Sequence, residues 1–147
     1  MIRIFVKAGT IQGHAALVFI LDSQKHRWTK AHKIIQDLPQ NTFTKSILLE
    51  SVGIMFALKH IKNKNKKKKI IIYIDSKFIL SALEHKDDKF TTKTSNLAVK
   101  RLRDVVGCFN DLQFENFIDD YAEFKQDLEH IFIECALDNI EIDEKNN

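Results

Sequence analysis

The stretch Ile70-Ile-Ile-Tyr-Ile-Asp-Ser76 decides how this chain folds. Five apolar residues in a row suit a strand covered on both faces, the place of a central strand in a sheet flanked by helices. Asp75-Ser76 ends the run. Either residue type caps a helix, and Ser76 opens a short one through Glu84. Upstream, Thr44–Ile61 reads as a helix, with broad apolar coverage from Ile47, Val52, Met55, Phe56 and Leu58. Ser46, Gly53 and Ala57 lie near Glu50, on a side where small residues let the helix approach a sheet closely. Between helix and strand, Lys62-Asn-Lys-Asn-Lys-Lys-Lys-Lys69 reads as a solvated loop. It leads into the start of the strand whose far end bears Asp75, so it lies away from that residue.

Working outward, Ile2-Arg-Ile-Phe-Val-Lys-Ala8 alternates and is rich in strand formers, ending at Gly9. His14–Leu21 is a second strand with Asp22-Ser23 as its turn, and His26–Ile34 a third. The linker Gln36–Asn41 holds the only proline, Pro39. Downstream come a polar loop Lys86–Thr94, a helix Asn96–Phe109, a strand Leu112–Ile118 and a helix Asp120–Leu137. The order βββ-α-β-α-α-β-α gives an α/β domain over residues 1–137. Its sheet is five-stranded and mixed, a three-strand antiparallel meander plus two parallel strands, with helices packed on it. Residues 138–147 form a polar tail that frays.

Composition narrows the function classes. Of 147 residues, 44% are hydrophobic and 29% charged, with one proline and four glycines, which excludes a disordered or low-complexity chain. The apolar runs Ala15–Leu21 and Ile70–Ile74 are too short to span a bilayer. Met1–Leu21 lacks a small-residue cleavage site and does not read as a signal peptide. Cys108 and Cys135, without CxxC spacing, fit a reduced cytoplasmic chain. Charge is divided unevenly. Residues 1–110 hold 21 Lys/Arg and 8 Asp/Glu, a net of +13, and residues 111–147 hold 2 and 12, a net of −10. The basic body suits an anionic partner, and the acidic last quarter competes for the same surface.

This element order, with Glu50 in the first long helix and Asp75-Ser76 after the fourth strand, resembles the ribonuclease H family over about residues 2–137. The local matches are Ile4-Phe5-Val6-Lys7-Ala8-Gly9, Leu49-Glu50-Ser51 and Ile74-Asp75-Ser76. The resemblance implies cleavage of the RNA strand of RNA–DNA hybrids by divalent ions, Mg²⁺ or Mn²⁺, held by four carboxylates. Such ions, about 3.5–4 Å apart, orient water and stabilise the leaving oxygen, and they take oxygen ligands. Carried over residue by residue, Glu50 matches the helix glutamate and Asp75 the strand aspartate. Asp127 is the choice for the last helix, with Asp120 and Glu123 as rivals. The first position departs from the pattern. Lys7-Ala8-Gly9 stands where the family has Asp followed by Gly or Ala, and nothing between Met1 and Ile20 is acidic. An ammonium at about 4 Å from a divalent cation, at an effective dielectric of ~20, repels it by roughly 8 kcal/mol. The family's His-bearing glycine loop before the last helix is also missing.

These departures point to a ribonuclease H-like protein with a degenerate site, catalytically impaired or inactive, that binds nucleic acid or a protein partner. Lys7 then serves as the cation that lets Glu50 and Asp75 stay ionised. Lys93, Lys100, Arg101 and Arg103, in the helical crossover, are the nucleic-acid-binding set. Two alternatives stand beside this reading. One is an active hybrid nuclease using Glu50, Asp75 and Asp127 around one ion; the other is a protein scaffold without nucleic-acid binding. Plainer roles compete at each residue: Asp75 as a helix cap, Glu50 as a surface residue, Lys7 as an exposed strand end. The six histidines, His130 among them, have no metal-ligand spacing.

Overall fold

The computed structural model describes residues 1–85, 90–117 and 121–146. Three strands open the chain: β1 (Ile2–Ile11), β2 (His14–Ser23) and β3 (Arg27–Ile34). Helix α1 (Thr42–Leu58), strand β4 (Lys69–Ile74) and helices α2 (Lys77–Glu84) and α3 (Lys93–Val106) follow. Strand β5 (Asp111–Asn116), helix α4 (Ala122–Asp138) and strand β6 (Ile142–Asn146) complete it. The strand order across the sheet is β5-β4-β1-β2-β3-β6. β4 runs parallel to both β1 and β5, and every other pairing is antiparallel. No helix among the described residues is long and apolar enough to cross a membrane.

The apolar run of β4 lies inside the sheet, as its composition requires. Ile70, Ile72 and Ile74 join one core, beneath α1 and α3, whereas Ile71 and Tyr73 join the other, beneath α4. β1 alternates in the same way: Ile2, Ile4 and Val6 belong to the first core and Phe5 to the second. Phe5 stacks on Phe124 of α4 at 4.1 Å and on Tyr73 at 5.0 Å, so one strand anchors helices on both faces.

Two expectations change. β1 runs past Gly9, which pairs with Ala16, and turns at Gln12-Gly13. Both turn residues have positive φ, 50° and 81°, the geometry of a two-residue hairpin whose twist matches its strands. The segment expected to fray instead supplies the sixth strand. Asn139, left-handed at φ 57°, ends α4 and returns the chain along β3. There the Trp28 indole N–H donates to Asp143 at 2.6 Å, Lys30 meets the same carboxylate at 3.3 Å, and the Lys33 amide donates to Glu141 at 3.1 Å. Apart from Ile142, which packs on the second core, polar partners hold this edge, which is why hydropathy gives it so little signal. The loop expected over Lys86–Thr94 lies partly outside the described residues, at 86–89, as do Ile118, Asp119 and Asp120.

Of the three small residues near Glu50, Gly53 and Ala57 are buried and Ser46 is exposed. A Cβ on Gly53 would come within 2.7 Å of the Ala8 Cβ and 3.5 Å of Val6. Gly53→Ala should therefore lower stability by about 1–3 kcal/mol through overpacking, although alanine outranks glycine in an open helix by about 1 kcal/mol. Urea unfolding measures this. Adding Ala8→Gly should recover much of the loss, and a Gly53→Ala chain more stable than wild type would refute the close contact.

Candidate functional site

The register of the central strands creates a cleft at one end of the sheet. β1 delivers Val6, Lys7 and Ala8, and β4 delivers Ile74 with Asp75 and Ser76 behind it. α1 adds Glu50 one turn before Gly53, and α4 adds Lys125, Leu128 and Glu129. The space enclosed is about 150 Å³. Among the described residues its titratable groups are three carboxylates, Glu50, Asp75 and Glu129, and two ammonium groups, Lys7 and Lys125.

Each carboxylate has a partner. Glu129 meets the Lys7 ammonium at 3.0 Å, and that ammonium also lies 4.9 Å from the centre of the Phe132 ring. Asp75 meets Lys125 at 3.6 Å. Glu50, half-buried on α1, accepts from the Ser76 hydroxyl. Burial pushes the Glu50 carboxyl above its usual value, the Ser76 bond opposes that rise, and the charge on Asp75 adds to it. Ser76 serves two elements, since its oxygen also accepts the Ile79 amide at 3.1 Å as the cap of α2. Asp75 is thus free of the capping role that its position in sequence allowed.

Glu50, Asp75 and Lys7 come together as the sequence suggests, but Lys7 binds a different acid. Odd-numbered β1 side chains face α4, so the ammonium reaches Glu129 rather than bridging Glu50 and Asp75. Asp127 lies elsewhere: it pairs with Arg27 of β3 at 3.0 Å and does not line the cleft. Glu123 sits exposed in the first turn of α4, and Asp120 lies outside the described residues. The helical phase of Leu128, Phe132, Cys135 and Ala136, all buried, marks the sheet-facing stripe of α4. Glu129 and Lys125 flank that stripe on the cleft side, a signal present in the sequence that an argument from acid position alone passes over. His130 is exposed and pairs with Glu134 at 2.9 Å.

The basic set on α3 divides as well. Lys93, Lys100 and Arg101 are exposed. Arg103 is committed to structure, donating to the Ala82 carbonyl at 2.7 Å and the His85 carbonyl at 3.4 Å, where it closes the C-terminal end of α2.

A divalent ion needs several anionic oxygens aimed at one point. Here two of the three cleft carboxylates are engaged by lysines and the third by a hydroxyl. No group of three His, Cys, Asp or Glu among the described residues converges to hold a metal. This donor set does not fit a divalent-ion pair.

No sequence-family profile matches the chain, and no curated protein matches it significantly. Solved structures do. Ribonuclease H1 of the halophilic archaeon Halobacterium salinarum is similar over 95% of this chain and 98% of its own, with TM-score 0.66 and 14% identity. A compost metagenome ribonuclease H1 covers 92% and 97%, with TM-score 0.64 and 15% identity. The same enzyme in complex with an RNA/DNA hybrid gives TM-score 0.55 and 13% identity over 87% and 93%. At such identities the likeness establishes the fold, which is that of ribonuclease H, and leaves the chemistry to the site residues.

The raised Glu50 pKa has a definite sign. A carboxyl that holds its proton more tightly when folded destabilises the fold once pH exceeds the ordinary glutamate range, and the penalty disappears as pH falls below it. Glu50→Gln should therefore raise the melting temperature at pH 8 and lose that advantage near pH 4. Thermal melts of both proteins across this range decide the matter; a gain independent of pH would disprove a charge effect.

Proposed function

We propose that this chain is a ribonuclease H-like protein that has kept the fold and lost hybrid cleavage, and that acts by binding nucleic acid, an RNA–DNA hybrid or a related duplex. The observation that carries this reading is the Lys7–Glu129 pair. An ammonium occupies the strand position where the fold family places its first metal-binding acid, and it neutralises the α4 carboxylate nearest to it. Lys125 does the same to Asp75. Cleavage in this fold relies on a divalent ion to activate water and stabilise the leaving oxygen, and carboxylates paired in this way do not offer the ligand set such an ion takes.

The same two lysines favour binding. Three bare carboxylates would repel a phosphodiester backbone, whereas a cleft with paired charges admits one. The exposed cations on α3, Lys93, Lys100 and Arg101, add phosphate contacts of the sequence-independent kind. That one similar structure is a complex with an RNA/DNA hybrid agrees with this class of partner.

The test pairs cleavage with binding. Wild-type protein should leave a labelled hybrid intact in Mg²⁺ and in Mn²⁺, while retaining it in a mobility-shift assay whose affinity falls steeply with salt. Lys100→Glu with Arg101→Glu should weaken retention about tenfold or more. Metal-dependent turnover abolished by Asp75→Asn would establish an active nuclease instead. Failure to retain any nucleic acid at low salt would favour the protein-scaffold reading.

A further inference from the structure

A second and larger cleft, of about 480 Å³, opens at the opposite end of the sheet. The start of β1, the end of β2, the start of β3 and the segment after α1 wall it. Its floor is apolar, built by Ile2, Leu21, Ile61 and Trp28. Its rim is cationic: Lys62, Lys64 and Lys68 come from the lysine run, and Lys145 comes from β6. No carboxylate among the described residues lines it. Of the acids on adjoining elements, Asp127 is held by Arg27 and Asp143 by the Trp28 indole and Lys30.

The lysine run is thus more than a solvated connection. It forms a short 3-10 turn over Asn63–Asn65 and one side of this cleft. Its position after the C-terminal end of α1 complements the helix dipole, which accounts for a lysine or two. It does not account for Lys145, which arrives from a distant part of the chain and places its ammonium 4.2 Å from the centre of the Trp28 ring. Trp28 is held in place by its bond to Asp143 and by the edge of His60 at 4.8 Å. His60 donates from Nδ1 to the Phe56 carbonyl at 2.7 Å, which leaves Nε2 as an acceptor.

We propose that this cleft binds a nucleotide, its base on the apolar floor beside Trp28 and Ile61 and its phosphate among Lys62, Lys64 and Lys68. An apolar floor alone selects any flat hydrophobe, and a cationic rim alone selects any anion. The two together, without an acid, select a ligand that carries both parts. The volume falls in the range of small-molecule sites. The ligand is either a free nucleotide or the phosphorylated end of a strand, which present the same chemistry. This site is separate from the Lys7 cleft and does not depend on the function proposed for it.

Trp28 is the only tryptophan, so its fluorescence reports on this cleft alone. Adenosine monophosphate and a 5′-phosphorylated trinucleotide should each change it saturably, with adenosine and inorganic phosphate at least about tenfold weaker. Tighter binding of the trinucleotide assigns the site to strand ends, and equal binding to free nucleotides. Lys64→Glu with Lys68→Glu, on an exposed segment, should weaken binding about tenfold or more, and so should Lys145→Glu alone. Phosphate binding as well as the nucleotide, no saturable response to either nucleotide probe, or unchanged affinity in both charge-reversed variants would overturn the proposal.

Discussion

The close approach of α1 to β1, made possible because Gly53 meets Ala8 with no side chain between them, is the contact on which the rest depends. It seats α1 low enough to bury Ile47, Ile54 and Leu58 against the sheet. It also sets the depth at which Glu50, one turn earlier, enters the cleft. Parallel pairing of β1 with β4 then fixes Lys7 near Asp75. A shift of this helix by the width of a methyl group disturbs both the core and the site, since packed interiors do not yield such space cheaply.

Charge distribution follows from the same layout. Four acids of the last quarter of the chain pair with groups on the opening strands. Glu129 pairs with Lys7, Asp127 with Arg27, Asp143 with Lys30 and Glu141 with His32. All four bonds join α4 or the segment beyond it to the first three strands. Each is at least partly exposed and contributes little alone, but together they remove negative charge from one side. The lysines after α1 and those exposed on α3 lie outside this pairing, so the basic character expected from composition persists at particular places on the surface.

Much of the architecture was legible because it rests on apolar periodicity. The β4 run, the alternation in β1 and the Ser76 cap all behave as local rules require. The site was legible in part. Glu50 and Asp75 were found through their positions on elements, and Lys7 through its departure from the expected acid. Its true partner was missed, because which α4 carboxylate enters the cleft depends on helical phase against the sheet and not on distance along the chain. β6 was missed for a related reason. An edge strand held by Trp28–Asp143 and Lys33–Glu141, with Ile142 its one apolar residue, resembles a loose end in sequence. Chain order alone makes the lysine run solvent-facing, because Trp28 and Lys145, which share its surroundings, come from distant parts of the sequence.

The pairing of β6 with β3 also bears on how the protein is made. Strands β1, β2 and β3 are adjacent hairpins and can form as soon as they are synthesised. The bond from Trp28 to Asp143 spans 115 residues, so the outer edge of β3 stays uncovered while everything between is translated. During that interval the nascent sheet offers its backbone N–H and C=O groups to any other extended chain. The cations of β3, Arg27, Lys30 and Lys33, repel a second copy of the same edge. They keep it unpaired until the acidic strand emerges from the ribosome and neutralises them.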